Sequence, residues 1–237
     1  MIDRARTAGI ERILVPGWDV ASSEAALELA ERHPTVVHAA VGVHPHHAAT
    51  MDEGGWDQLA SLVRDPGTRA VGEIGLDFFR NLSPPDAQRE AFARQLALAA
   101  EANLPVLVHD RDAHRDVTEA LSTWRGPTDR AIKGVLHAFS GDPGMALRLV
   151  EAGYLVSFAL PVAFRSAAGP RAAVPLLPDG SFLVETDAPY LGPDRARRNE
   201  PTTALRVVAE LAALRGTAAG DLVPWIRSAY ERLVGVR

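Results

Sequence analysis

The chain has 237 residues, a net charge of −5 and a hydrophobic fraction of 47%. This balance is typical of a globular protein and argues against a disordered chain, and no apolar run reaches the roughly 18 residues of a membrane-spanning helix. There is no cysteine, which excludes disulfides, thiolate metal sites and a cysteine nucleophile and makes the cytoplasm the expected location.

Short apolar runs alternate with amphipathic segments from one end of the chain to the other. A helix is predicted over residues 3–8, and further helices over residues 25–31, 84–103, 202–214 and 221–233, with Ser22 or Ser23 expected to cap the second one. Seven strands are predicted, at residues 13–17, 36–44, 70–76, 105–109, 134–139, 154–158 and 182–187. These strands are almost wholly apolar, as expected for parallel strands that are buried on both faces.

The alternation of strands and helices predicts an α/β fold with a parallel sheet. We interpret residues 1–237 as a single domain, because no linker, repeat or low-complexity tract interrupts the alternation. The expected architecture is a TIM-type (β/α)8 barrel, which needs eight strands. Since the first predicted strand follows a helix and only seven are counted, the first strand of the barrel is expected to be lacking from the sequence as given.

Several predicted strands end, on the carboxyl side, in a residue that can bind a metal. Glu73, His109, His137 and Asp187 all stand at such ends. In a β/α barrel these ends converge around one mouth, so side chains that are distant in sequence can share a cation. Burying ionisable groups at the ends of apolar strands is costly unless they are paired or coordinate a metal. The four residues are therefore the predicted ligands of one or two divalent cations, for which magnesium, manganese and zinc are the candidates.

Each of these residues also has an ordinary structural explanation when it is taken alone. A single histidine after a strand is often a hydrogen-bonded structural residue, Glu73 is compatible with an ion pair, and Asp187 before Ala188-Pro189 is compatible with a turn. It is the combination of the four that favours a metal centre.

A divalent cation at these residues would support hydrolysis, because it acidifies bound water and polarises a phosphoryl or carbonyl oxygen. Asp187 is the predicted proton acceptor for the attacking water. Glu185 lies two residues earlier on the same face of its strand, where a supporting role is expected rather than ligation. The one lysine, Lys133, stands at the start of its strand, so any bridge between two cations falls to Glu73.

Six segments, in order along nearly the whole chain, resemble the TatD family of metal-dependent deoxyribonucleases. They are VGVHPH at 41–46, VGEIGLD at 71–77, VHDRD at 108–112, LHAFSG at 136–141, ETDAPY at 185–190 and RNEP at 198–201. The resemblance implies a TIM barrel with one or two divalent metals, and hydrolysis of phosphodiester bonds, typically of DNA from its 3′ end. It also places Glu73, His109, His137 and Asp187 on the family's ligand positions.

The sequence departs from that family at one motif. Family members usually begin with a strand that ends in His-x-His and supplies two ligands, and no such pair precedes His33. Either the start codon was assigned too late or the protein has no such strand. For the chain as given we expect one metal position to be short of ligands, with weaker metal binding and lower activity.

The substrate is expected to contact side chains around the same mouth. His44, His46, Arg80 and Arg198 are the predicted contacts to phosphate, the last within a cluster that includes Arg195 and Arg197. Because the family commonly acts on single strands, an aromatic stacking partner is also expected. Tyr190 and Phe79 are the candidates, with core packing favoured for Phe79.

Three functions fit these observations. The first is a TatD-type deoxyribonuclease that cleaves single-stranded DNA in the 3′–5′ direction. The second is a metal-dependent hydrolase of a small ester or amide on the same barrel, because a fold does not determine its substrate. The third is a catalytically silent barrel that lacks its first strand.

Overall fold

The computed structural model describes residues 1–194 and 198–235, in which parallel strands alternate with helices. The described residues form seven strands: β1 Ile13–Pro16, β2 Val37–Val41, β3 Thr68–Asp77, β4 Val106–Arg111, β5 Gly134–Leu136, β6 Tyr154–Phe158 and β7 Phe182–Val184. They form nine α-helices: α1 Ile2–Thr7, α2 Val20–Arg32, α3 Glu53–Val63, α4 Pro85–Glu101, α5 His114–Thr123, α6 Pro143–Glu151, α7 Ala168–Ala173, α8 Ala204–Arg215 and α9 Ala219–Val234.

All seven predicted strands are confirmed, but three of them end three residues earlier than predicted. β2, β5 and β7 end at Val41, Leu136 and Val184. His44, His137 and Asp187 therefore lie in the loops that follow these strands, where side chains are free of the alternation that a strand imposes. The predicted helices at residues 3–8, 84–103, 202–214 and 221–233 are confirmed as α1, α4, α8 and α9.

The cap predicted for α2 is wrong. The helix begins at Val20, and its N-cap is Asp19, whose carboxylate accepts a hydrogen bond from the Ser22 backbone N–H at 2.8 Å. Ser22 instead occupies the third helical position and accepts from the Asp19 N–H, which completes a capping box. Ser23 is fully buried and accepts a hydrogen bond from the Gly42 N–H at 3.1 Å.

The chain divides into two compact units. The first unit contains Arg12–Val135 and Leu233–Gly235, and the second contains Met1–Glu11 and Leu136–Arg232. A single domain over residues 1–237 stays a prediction. None of the helices among the described residues has the length and apolar character required to cross a membrane.

The first unit is built on β1 to β4, which pair in chain order and run parallel. The register places Val41 beside Val71, and Asp77 beside Arg111. β5 continues the order through a hydrogen bond from the Val106 N–H to the Lys133 carbonyl at 3.0 Å. Because the strands are parallel, their carboxyl ends lie on one edge of the sheet, and the loops there carry the polar side chains.

The second unit contains the parallel pair β6–β7, with Ser157 beside Leu183. The segment after β5 joins β6 through a hydrogen bond from the Phe139 N–H to the Ser157 carbonyl at 2.9 Å. The rings of Phe139, Phe158 and Phe182 form successive edge-to-face contacts with centroids 6.2 and 6.4 Å apart. α1 belongs to this unit and pairs with it through Arg4 and Glu200, at 2.6 Å.

Gly75 is a position in β3 where any side chain would conflict with the backbone of β4. Its φ is +133°, and an added Cβ would lie 2.0 Å from the His109 carbonyl oxygen. We expect Gly75→Ala to lower the free energy of unfolding by about 2–6 kcal/mol, because backbone strain and overpacking add together. Denaturant unfolding measures this loss. Gly220→Ala is the matched control, because nothing lies within 4 Å of its added Cβ. If both variants lost the same free energy of unfolding, a steric conflict at Gly75 would be contradicted.

Candidate active site

Three side chains of the first unit bring metal-binding atoms together at the carboxyl edge of the sheet. His44, Glu73 and His109 each offer one such atom, all within 4.8 Å of one another. The His109 Nδ1 lies 2.8 Å from the Glu73 Oε1, and the His44 Nε2 lies 3.7 Å from the same oxygen. The side chains are between 11% and 17% exposed, so solvent reaches the group but screens it weakly.

The backbone holds this group in place from the β1 side. The Glu73 N–H donates to the Gly17 carbonyl at 2.8 Å, and the His44 N–H donates to the Trp18 carbonyl at 2.9 Å. Gly17 and Trp18 directly follow β1, so the end of this strand fixes one residue on β3 and one after β2. The positions of Glu73 and His44 therefore depend on three adjacent strands rather than on one flexible loop.

Asp77 also joins the group, although no role was predicted for it. Its Oδ2 lies 2.7 Å from the His46 Nε2 and 3.2 Å from the His109 Nε2, and its Oδ1 accepts from the Arg80 N–H at 2.7 Å. Burial raises the pKa of Asp77, but hydrogen bonds from His109, the Arg80 backbone and His46 outweigh it and hold the pKa well below its usual range. The spacing of Glu73 and Asp77 was the available signal, because residues four apart in a strand share a face.

His44 is neutral and has only one nitrogen left for a ligand. Burial lowers its pKa to about 3, against the charge of Glu73, and His109 lowers it further. The Nδ1 accepts a hydrogen bond from the His46 N–H at 3.1 Å. A neutral imidazole that accepts at Nδ1 carries its proton on Nε2, so the Nε2 of His44 faces Glu73 as a donor. This favours contact with an anion over coordination of a metal.

The second unit holds a similar arrangement around His137. Its Nδ1 pairs with the Glu185 carboxylate, and its Nε2 lies 3.8 Å from the Asp187 Oδ1. Glu185 also accepts from the Ala138 N–H at 2.5 Å and from the Ser157 hydroxyl at 2.8 Å. Asp187 is 33% exposed, against 18% for Glu185, so Asp187 is the more solvent-accessible of the two carboxylates.

The two units therefore share one pattern, in which an imidazole lies between two carboxylates. His109 lies between Asp77 and Glu73, and His137 lies between Glu185 and Asp187. Metal-binding histidines commonly donate one ring N–H to a supporting carboxylate, which directs the lone pair of the other nitrogen at the metal. Asp77 and Glu185 fit the supporting role, and nitrogen and oxygen donors without thiolate suit a divalent cation.

Comparison with known proteins identifies the family to which this chain belongs. A sequence model described as TatD related DNase matches residues 1–235. The chain belongs to the TatD-related DNase family.

Similar proteins share most of their length with this TatD-family chain. It is 39% identical over 229 residues to the 3′-5′ ssDNA/RNA exonuclease TatD of Erwinia tasmaniensis, covering 94% of this chain and 87% of the relative. It is 36% identical over 217 residues to the metal-dependent hydrolase YabD of Bacillus subtilis, covering 91% and 84%. The crystal structure of YJJV, a TatD homolog from Escherichia coli K12, superposes with a TM-score of 0.91 at 31% identity, covering 99% and 90%. The predicted TIM-type α/β fold is confirmed.

The predicted site residues are thus brought together in two groups. Glu73 and His109 meet in the first unit, together with His44 and His46, while His137 and Asp187 meet in the second. Coordination of a common cation by all four predicted ligands stays a prediction.

Asn199, for which no role was predicted, holds the loop that carries Asp187. It is 2% exposed, and its side-chain amide donates to the Thr186 carbonyl at 2.6 Å and to the Tyr190 carbonyl at 2.7 Å. These bonds tie residues on both sides of Asp187 to one buried anchor. The only sequence signal was its place in the RNEP segment, which was read for its arginine.

The other predicted substrate contacts lie at the surface of their units. Arg80 and Arg198 are exposed, and Tyr190 is 71% exposed. Core packing of Phe79 is wrong, since the residue is 61% exposed and its ring stacks with the Arg111 guanidinium instead of entering the core. Arg195 and Arg197 lie outside the described residues.

Asp77→Asn tests the supporting carboxylate of the first unit. The amide cannot hold the charge-assisted hydrogen bond from His109, so we expect the affinity for Mn²⁺ to fall by about 10- to 100-fold. Titration of the metal-free protein with Mn²⁺ measures the change. Asp65→Asn, at an exposed turn where the carboxylate accepts from the Gly67 N–H at 2.7 Å, is the control. If the Asp77→Asn and Asp65→Asn proteins bound Mn²⁺ with equal affinity, Asp77 would not be a supporting carboxylate.

Proposed function

We propose that this protein is a metal-dependent nuclease that releases nucleotides from the 3′ end of single-stranded DNA. The observation that carries the proposal is the repeated carboxylate–histidine–carboxylate arrangement, at His109 and at His137. It occurs in a chain whose relative from Erwinia tasmaniensis is named a 3′-5′ ssDNA/RNA exonuclease. RNA is therefore a second substrate for the same chemistry.

We assign Glu73, His109, His137 and Asp187 as the ligands of one or two divalent cations. Carboxylate oxygens suit magnesium and manganese, and imidazole nitrogens extend the choice to zinc. When bound, the cation would supply Lewis-acid stabilisation of the charge on the phosphoryl oxygens and a lowered pKa for water. Glu73, as the carboxylate between His44 and His109, is the bridging ligand if two ions bind.

The remaining side chains move the proton and hold the phosphate. Asp187 accepts a proton from the attacking water, a role that its partial exposure supports. The Nε2–H of His44 donates to a non-bridging phosphate oxygen, and His46 lies beside it with ring centroids 4.3 Å apart. Arg80 and Arg198 neutralise neighbouring phosphates, so local positive charge offsets the overall charge of −5.

A cytoplasmic location belongs to the same proposal. The cysteine-free composition suits a reducing compartment, and nucleic acid is available there as substrate. Fractionation of cells with an antibody against the chain measures it.

Release of mononucleotides distinguishes the proposed activity from its alternatives. The purified protein is incubated with Mn²⁺ and a single strand labelled at its 5′ end, and in parallel with the matching duplex and a panel of small carboxylic esters and amides. A ladder that shortens from the 3′ end, faster on the single strand, is expected. Turnover of the small esters or amides without nucleotide release would overturn the proposal, and so would inactivity on every substrate.

Arg198→Ala tests the phosphate contact. We expect kcat/KM on single-stranded DNA to fall by about 10-fold, and the slope of its logarithm against the logarithm of salt concentration to decrease by roughly one ion. Arg64→Ala is the control, because Arg64 is the C-cap of α3, and its exposed guanidinium donates to the Ala60 carbonyl at 3.2 Å and pairs with Glu101 at 3.7 Å. A salt slope identical to that of the wild type would contradict a phosphate contact at Arg198.

A further inference from the structure

Two exposed aromatic side chains lie beside the His44–Glu73–His109 group in the first unit. Trp18 is 53% exposed and Phe79 is 61% exposed. Single exposed hydrophobic residues are common on protein surfaces and need no explanation. These two are different because the same short segments that carry them also build the site.

Trp18 follows β1 and contacts the site through its own backbone. Its carbonyl accepts the hydrogen bond from the His44 N–H at 2.9 Å, and the preceding carbonyl, of Gly17, accepts from Glu73. The indole is therefore attached to a backbone segment whose position is fixed by two site residues. Its ring is exposed although its main chain is held.

Phe79 lies on the opposite side, toward β4. It follows Asp77 by two residues, and the next residue, Arg80, donates its backbone N–H to the Asp77 carboxylate. The Arg111 guanidinium stacks on the Phe79 ring at 4.3 Å from the centroid. Arg111 itself follows His109 by two residues and sits in register with Asp77. A cation over one face orients the ring and adds positive charge beside it.

The order of the strands places Trp18 and Phe79 on either side of His44. Trp18 is at the end of β1 and the Phe79–Arg111 pair is at the ends of β3 and β4, with His44, after β2, between them. An exposed aromatic residue thus stands on each side of the proposed metal- and phosphate-binding group. This arrangement suits a single strand of nucleic acid, with one base before the scissile phosphate and one after it. Aromatic rings stack on any base, so such a surface selects single strands without selecting a sequence.

We propose that Trp18 and the Phe79–Arg111 pair are the base-stacking surfaces that hold single-stranded nucleic acid across this site. The inference rests on the proposed nuclease function and names how the site recognises unpaired bases. In a duplex the base faces are covered by their neighbours, so these surfaces would add nothing to its binding.

A comparison of normal and abasic oligonucleotides tests the stacking surfaces. Binding of fluorescently labelled oligothymidylate and of an abasic strand of equal length is measured by anisotropy in EDTA, where no cleavage occurs. The wild type is expected to prefer the thymidine strand by about 5- to 100-fold for each stacked base. Trp18→Leu and Phe79→Leu are each expected to reduce this preference, while Phe79→Tyr retains it. Leu147→Ala, a 40% exposed residue of α6, is the control.

The outcomes separate this inference from the function on which it rests. Equal binding of the two strands by the wild type, or no binding of either, would overturn the stacking surfaces. So would leucine variants with the wild-type preference. Nucleotide release is then measured with Mn²⁺ on the same strands: its absence in a wild-type protein that prefers the thymidine strand would overturn the nuclease while leaving the stacking surfaces intact.

Discussion

Replacement of Glu73 by Gln is expected to reduce kcat on single-stranded DNA by about 1000-fold and to weaken Mn²⁺ binding by more than about 100-fold. A cation in this position contributes several kcal/mol of charge stabilisation, and about 4 kcal/mol corresponds to a thousandfold in rate. Glutamine keeps the size of the side chain and the backbone bond to Gly17, but it removes the charge that faces His44 and His109. We therefore expect the Glu73→Gln protein to fold normally while its metal binding and activity are reduced.

The control for Glu73→Gln is the same chemical change at a surface ion pair. Glu53 pairs with Arg94 at 3.0 Å, and its side chain is 83% exposed, so Glu53→Gln should leave both the rate and the metal affinity unchanged. Steady-state kinetics and Mn²⁺ titration measure the two effects. A Glu73→Gln protein that binds Mn²⁺ as tightly as the control would show that Glu73 is not a ligand.

The second large effect is expected at Asp187. Asp187→Asn should lower kcat by about 10²- to 10⁴-fold at saturating Mn²⁺, since the amide cannot accept the proton of the attacking water. Asn199 should still hold the loop through Thr186 and Tyr190, so a change in kcat would reflect chemistry rather than misfolding. Saturating metal compensates for any ligand contribution that is lost with the charge.

Asp179→Asn is the matched control in the same unit. Its carboxylate is 51% exposed and pairs with Arg215 at 2.6 Å. Kinetics on the 3′ end of a single strand, together with thermal unfolding of each variant, measure the difference. An Asp187→Asn enzyme with a kcat within a factor of about two of the control would exclude Asp187 as the proton acceptor.

The strands and the candidate ligands could be predicted because each rests on a local pattern. Seven apolar runs predicted seven strands, and a histidine or carboxylate at the ends of several of them indicated Glu73, His109, His137 and Asp187. Hydrophobic periodicity and composition are properties of a few neighbouring residues, so they can be recognised in the sequence without knowledge of the fold.

The supporting residues could not be predicted in the same way, because their roles arise from contacts between distant segments. Asp77 acquires its role by lying against His46 and His109, and Asn199 by reaching carbonyls on both sides of Asp187. The exposed ring of Phe79 stacks with Arg111 from the adjacent strand, a contact that its sequence neighbours do not indicate. The cap of α2 was missed for a smaller reason, since Asp19 precedes an extra turn that lacks a clear apolar period.

Glu185 is a supporting residue whose role was indicated by its sequence spacing. Its position two residues before Asp187 indicated a supporting role, and its contacts with His137, Ala138 and Ser157 fit that role. Local spacing did not indicate that Asp77 contacts His109 in the way that Glu185 contacts His137. The repeated arrangement consists of contacts between segments that are distant in sequence, so it can be recognised only in the three-dimensional structure.

The most direct measurement is the anomalous scattering of manganese in crystals grown with Mn²⁺. We expect a peak at about 2.0–2.3 Å from a carboxylate oxygen of Glu73 and from a ring nitrogen of His109, with Asp77 holding the other nitrogen of that ring. Strong manganese peaks elsewhere on the protein, with none beside Glu73 and His109, would contradict it.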